Sequence, residues 1–233
     1  LGSDGTVGAN KNTIKIIGDN TDFYVQAYFA YDSKKSGGVT RSHLRFGKKP
    51  IRSTYLVTKP SFVSCSIDSY LEKYDMLSGL RKGGTFLLNT IYNAEEIIEK
   101  MPNKIKKILA EREAKFYIID AITLAREIGL GNRTNTILQS AFFKLNEQII
   151  PFNEAEDLMK KYAEKTYARK GEKVVKLNWR AIEVGYESLT EVKVDPAWID
   201  LKDEEREIDK DRPDFVKEIA EPINQINGND LPV

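Results

Sequence analysis

Short apolar runs at 54–57, 62–65, 86–88 and 116–119 recur through the middle of the chain, with helical periodicity between or after them at 68–74, 94–99, 104–113 and 121–128. Strands that short and that apolar are covered on both faces. Strands that alternate with helices close into a mainly parallel sheet. This pattern predicts an α/β protein, a three-layer α/β/α arrangement with a mainly parallel sheet. Upstream, Ala9, Thr13, Ile16 and Ile17 fall at helical spacing and predict a short helix over 7–18, with Gly18 as its stop. The aromatic stretch from Phe23 to Tyr31 is read as packing residues, its second half as a strand. A turn at Lys34-Lys35-Ser36-Gly37-Gly38 leads to a second strand over 39–46. There Arg41, His43 and Arg45 alternate with Ser42, Leu44 and Phe46, the pattern of an edge strand with one solvated face.

The later chain is helical. Ile137, Leu138, Ala141, Phe142 and Leu145 form an apolar stripe that Pro151 follows. Asn153 reads as the cap of a helix over 154–169 that Gly171 ends, and Val174, Val175, Ile182 and Tyr186 mark one more. Beyond Asp195-Pro196 the sequence is charged and interrupted by proline, so the division expected is an α/β domain at 1–195 and an extended C-terminal arm at 196–233 that reaches a neighbouring domain. The glycine-rich opening without Met and the linker-like close at Gly228-Asn229-Asp230-Leu231-Pro232-Val233 suggest a piece of a longer protein.

Composition narrows the chemistry. Of 233 residues, 36 are Lys or Arg and 35 are Asp or Glu, a net charge of +1, so no broad basic field draws nucleic acid or anionic membranes. The single cysteine, Cys65, excludes an intrachain disulfide and a four-thiolate iron–sulfur cluster. One histidine, His43, makes zinc chemistry and a Ser–His–Asp triad poor readings. No apolar run approaches the roughly 20 residues needed to span a bilayer, and the compartment expected is the cytoplasm. His43 is expected at the surface and Cys65 in the core. No residue is assigned a catalytic or metal-binding role.

Three places could meet a ligand. Gly2-Ser3-Asp4-Gly5-Thr6-Val7-Gly8-Ala9-Asn10 stands directly before a helix, where backbone N–H groups and the helix dipole suit an anion; on spacing alone the favoured reading is a loop that only turns the chain. Its Gly-x-x-Gly-x-x-Gly spacing, with no strand before it, argues against a dinucleotide fingerprint. Lys34 and Lys35 put two ammonium groups on a turn, either facing a polyphosphate or simply solvated. Arg133, with Asn135 and the neighbouring threonines, stands at a helix start, where it either clamps a phosphate or pairs with an acidic neighbour. Asp120, at a strand end, reads as a cap or a ligand-facing residue.

Two stretches carry a family resemblance. Leu1-Gly2-Ser3-Asp4-Gly5-Thr6-Val7-Gly8-Ala9-Asn10-Lys11-Asn12, running into Ile14-Lys15-Ile16-Ile17-Gly18, resembles a signature of the pyruvate:ferredoxin (flavodoxin) oxidoreductases. So does the stretch from Tyr31-Asp32-Ser33-Lys34-Lys35-Ser36-Gly37-Gly38 to Arg45-Phe46-Gly47. Lys82-Gly83-Gly84-Thr85 and Gly129-Leu130-Gly131-Asn132-Arg133-Thr134-Asn135-Thr136 add weaker support. The resemblance implies an internal, gamma-type domain of a long multidomain chain that dimerises. The whole enzyme would decarboxylate pyruvate oxidatively on thiamine diphosphate with magnesium, pass electrons through iron–sulfur clusters to ferredoxin or flavodoxin, and give the acetyl group to coenzyme A. Those centres would lie in other domains. This domain would help hold coenzyme A, with Asp4, Gly5, Thr6 and Val7 beside it, Lys34 and Lys35 facing its phosphates, and Arg133 and Asn135 adding donors. The alternative is an interdomain packing module with no ligand site. The segment Ser64-Cys65-Ser66-Ile67-Asp68 departs from the family's Ala-Cys-His-Asn-Pro type of sequence.

Overall fold

A computed structural model describes residues 6–31, 39–202, 213–224 and 231. The fold is α/β, of the three-layer α/β/α class with a mainly parallel sheet. It divides into two compact units, one of Leu1–Thr58 with Ile119–Leu189 and one of Lys59–Ile118 with Thr190–Val233.

The first unit opens with helix α1 (Thr6–Asn20) and an antiparallel hairpin of β1 (Tyr24–Tyr31) and β2 (Thr40–Gly47). All of the aromatic stretch after Phe23, not only its second half, is strand. Gly18 does not stop α1. It lies inside the helix because a Cβ there would come within 2.9 Å of Val25 Cγ2, so β1 crosses where only hydrogen fits. The helix ends two residues later, where Asn20 Nδ2 donates to the Ile16 carbonyl and Thr21 Oγ1 to that of Ile17, satisfying two of its last acceptors. Ile16 and Ile17 pack with Phe143, Ile150, Phe152, Met159 and Ile182 in a core that Val25 and Phe46 help to cover.

Helices α5 (Ala121–Glu127), α6 (Asn135–Leu145), α7 (Phe152–Tyr167) and α8 (Glu172–Glu187) complete the unit. Asn153 does not cap α7. The helix begins one residue earlier, with Pro151 before it and Phe152 buried in the core, so packing sets its start. Gly171, at φ 96°, separates the short 3-10 turn after α7 from α8. Asp120 caps α5, its Oδ1 accepting the Thr123 N–H at 2.9 Å.

In the second unit a four-stranded sheet runs in the order β3 (Phe62–Cys65), β4 (Thr85–Asn89), β5 (Lys115–Ile119), β6 (Thr190–Val192), with β3 parallel to β4 and β6 antiparallel to β5. β6 is a strand the sequence pattern gave no sign of. Four successive residues of β4, Phe86 to Asn89, are buried. Phe86 and Phe116 stack at 5.3 Å between centroids, in a core with Leu88, Ile97, Ile105 and Leu109 from α3 (Ala94–Lys100), α4 (Asn103–Glu111) and the strands. Each such side chain contributes about 1.5–3 kcal/mol on burial. The short helix α2 (Tyr70–Lys73) follows β3, and Asn93 closes a capping box with Glu96 at the start of α3.

The expected strand at 54–57 is not one. Among the described residues no strand pairs with it, and its apolar residues are largely exposed. Beyond β6, a 3-10 segment (Pro196–Asp200) packs on α4, and 214–224 is helical.

Candidate functional site

Residues of the first unit that sequence reasoning linked to an anion come from three elements. Thr6 and Val7 open α1, Asn135 opens α6 two residues after Arg133, and the residues flanking the hairpin connection are Tyr31 and Val39. Asp4, Gly5, Lys34 and Lys35, with the turn through Gly38, lie outside the described residues.

Chain direction decides which ends meet. β1 turns back along α1: Lys11 Nζ sits 5.6 Å above the Phe29 ring near one end, and Gly18 meets Val25 near the other. Fifteen helical residues and eight strand residues have similar lengths, about 22 Å and about 26 Å. The far end of β1, where the hairpin connection begins, therefore lies level with the start of α1. α6 runs in the same direction as α1. Gln139 Nε2 donates to Thr13 Oγ1 at 3.1 Å, with both residues buried, and one turn further on Phe143 packs with Ile16 and Ile17. Phe46, paired with Val25 at the opposite end of the hairpin, meets Phe142 at 6.2 Å. The starts of α1 and α6 and the connecting end of the hairpin thus share one end of the unit.

The electrostatics of that end favour an anion. Two helix starts contribute the positive ends of their dipoles, and α1 has no acidic residue in its first turn. Arg41, opposite Ala30 and next to the hairpin's end, is exposed. Arg133 is exposed, and among the described residues neither its side chain nor that of Asn135 has a hydrogen-bond partner or ion pair. The buried Thr13–Gln139 bridge, which fixes α6 against α1, was not foreseen. Its two residues are 126 positions apart, and no local signal announces it.

His43 departs from the expected surface position. It is half-buried on the outer face of the hairpin, its Nδ1 accepting the Val57 N–H at 3.2 Å, which leaves the proton on Nε2. Burial, and then the Arg41 guanidinium, hold its pKa below the usual imidazole range. Cys65 is a core residue as expected, its thiol donating to the Ile67 carbonyl at 3.0 Å. In the divergent segment around it, Asn89 Nδ2 donates to the Ser66 carbonyl and Thr90 Oγ1 to Asp68 Oδ2. Among the described residues no group of three or more His, Cys, Asp or Glu side chains is arranged to hold a metal ion, and no helix is long and apolar enough to cross a membrane.

The model of the family "Pyruvate ferredoxin/flavodoxin oxidoreductase" matches residues 1–188. The chain belongs to this family. It is 49% identical over all 233 residues to the pyruvate:ferredoxin oxidoreductase of Moorella thermoacetica and 52% identical to the pyruvate-flavodoxin oxidoreductase of Enterobacter agglomerans. In both cases the match covers 100% of this chain and 20% of the relative, so the chain spans about a fifth of these family members' length. Among solved structures it is similar to the pyruvate oxidoreductase subunit PORC of Thermotoga maritima, with a TM-score of 0.64 and 21% identity, covering 82% of this chain and 93% of that one. The gamma subunit of a keto/oxoacid ferredoxin oxidoreductase from Geobacter sulfurreducens has a TM-score of 0.55 at 15% identity, covering 80% and 92%. These two similarities establish the gamma-type fold that the family resemblance implied.

Proposed function

We propose that this chain is the coenzyme A-holding domain of a full-length pyruvate:ferredoxin/flavodoxin oxidoreductase. That enzyme oxidatively decarboxylates pyruvate to acetyl-coenzyme A in the cytoplasm as a homodimer and reduces ferredoxin or flavodoxin. The observation that carries this reading is the convergence of two helix starts and the hairpin connection at one end of the first unit, beside exposed Arg41 and Arg133 and with no acid in the first turn of α1. A phosphate-rich ligand is the natural partner of such an end.

In this reading Asp4, Gly5, Thr6 and Val7 lie against the coenzyme, Lys34 and Lys35 meet its phosphates, and Arg133 and Asn135 supply further donors. Coenzyme A brings the thiol that accepts the acetyl group; thiamine diphosphate, magnesium and the iron–sulfur clusters belong to other domains. This domain contributes binding and orientation without an acid or base of its own. The arm over 196–233 leads toward the next domain.

Calorimetric titration of the full-length enzyme with coenzyme A, and with 3′-dephospho-coenzyme A as control, tests the reading. Salt-sensitive binding is expected, weakened about tenfold or more by Lys34→Ala with Lys35→Ala, while pyruvate cleavage on thiamine is spared. A double variant that binds coenzyme A as tightly as the parent enzyme overturns it.

A further inference from the structure

Residues between Pro50 and Thr58 run beside the outer face of the hairpin without joining a sheet. Among the described residues the N–H groups from Ile51 to Leu56 make no hydrogen bond, and of the carbonyls only that of Ser53 is engaged. Two side chains of β2 clamp the segment: Arg45, which also binds Gln26, donates to Ser53, and His43 accepts the Val57 N–H. Tyr55 and Leu56 are left 75% and 46% exposed. The strand face that carries His43 and Arg45 also presents Tyr24 and Tyr28, 50% and 52% exposed. A row of unpaired backbone groups beside exposed tyrosines is the make-up of a binding edge, and Tyr and Arg are the residues interfaces favour.

Charge selects the occupant. In a chain of net charge +1, the stretch 39–58 holds five Lys or Arg and no Asp or Glu, and the next carboxylate is Asp68. Lys48, Lys49 and Arg52 are exposed. A second copy docked here across a two-fold axis would set cations against cations. Nucleic acid needs a broader basic field than this chain carries. A carboxylate-bearing protein surface satisfies both the charges and the unpaired backbone, and four-fifths of the related enzymes' length lies outside the matched region.

We propose that the clamped segment 51–56 and the outer hairpin face form an interface for an acidic surface carried elsewhere in the full-length enzyme. The cations tested, Lys48, Lys49 and Arg52, follow the end of β2 opposite the hairpin connection, and the proposal does not rest on the coenzyme reading.

Amide exchange and carbodiimide cross-linking of the full-length enzyme test the proposal. Amides of 51–56 are expected to exchange at least about tenfold slower than an unprotected chain. Lys48 or Lys49 should cross-link to an Asp or Glu peptide outside residues 1–233. The K48E/K49E/R52E variant, which deletes the coupling amines and is therefore read by exchange alone, should exchange at least about tenfold faster at 51–56, with the amides of β4 unchanged. Should the variant misfold, raising salt to about 1 M in the unmodified enzyme should reduce the cross-link and the protection together. Free-chain exchange at 51–56 in the full-length enzyme overturns the proposal, as do cross-links confined to residues 1–233 or joining like segments of two copies. Loss of coenzyme A binding moves none of these readouts.

Discussion

Cys65 and His43, the only residues of their kinds, answer to different parts of the chain. Burial at the end of β3 pushes the Cys65 thiol up to about 11 from an ordinary value of 9.0. The fold thus favours the neutral thiol. That contribution is complete below pH 9 and is lost as pH rises through the folded value. At pH 8 only about a thousandth of the native thiol is ionised. Mass spectrometry should therefore find iodoacetamide labelling of native protein at pH 8 negligible on a timescale where denatured protein is fully modified. Rapid native labelling would contradict the burial argument. For His43 the sign reverses: with its folded pKa lowered, its contribution is present above about pH 6.5 and is lost as pH falls through the folded value. The urea midpoint should drop between about pH 7 and pH 5, and less so in His43→Gln, which removes the titrating group. Cys65 was legible because its apolar neighbours Phe62 and Val63 adjoin it in sequence. The cover over His43 comes from Val57, fourteen positions away, and no pattern within β2 carries it.

At the scale of elements, hydrophobic period and length revealed what local sequence controls and missed what packing controls. β3, β4 and β5 stood out as short apolar runs between helices, and they form. The run at 54–57 is apolar in the same way but has no partner strand among the described residues, and a strand exists only as part of a ladder. β6 has three residues, too few for any period, and exists because β5 offers it an edge. Glycines show the same divide. In α8, a Cβ on Gly185 would fall 2.6 Å from the Ile137 carbonyl and 2.8 Å from Ser140 Cβ. At that seam Ser140 Oγ donates to the Ile182 carbonyl at 2.6 Å and Thr136 Oγ1 to Asn178 Oδ1 at 3.0 Å, which holds α6 close against α8. Gly8 in α1 has nothing within 4 Å of its Cβ position. Gly185→Val should therefore cost about 1–3 kcal/mol through overpacking, while Gly8→Ala should gain up to about 1 kcal/mol from helix propensity alone. Denaturant midpoints of the two variants should move in opposite directions; a shared direction would mean that propensity, and not the seam, governs α8.

For the whole molecule, the consequence of chain order is that neither unit is continuous. The chain passes between them near residues 58, 118 and 189, so the second unit receives its last strand and the segment after it from the far end of the sequence. The charged composition beyond Asp195 suggested an arm, and composition is silent on which of its residues fold back. Trp198 packs against the core of the second unit, Asp195 caps the 3-10 segment through the Ala197 N–H, and Asn103 Nδ2 at the start of α4 donates to the Lys202 carbonyl at 3.1 Å. These contacts place the tie between residues 196 and 202. Ending the chain after Asp195 uncovers α4 and gives up the burial of a large aromatic side chain, a loss of about 2 kcal/mol. Amides of α4 should then exchange about thirtyfold faster while those of α8, in the first unit, keep their rates. A chain ending after Lys202 retains the tryptophan and the carbonyl and should match the full sequence in both helices. Equal exchange in α4 for the two truncations would show that residues 196–202 rest on the unit without stabilising it.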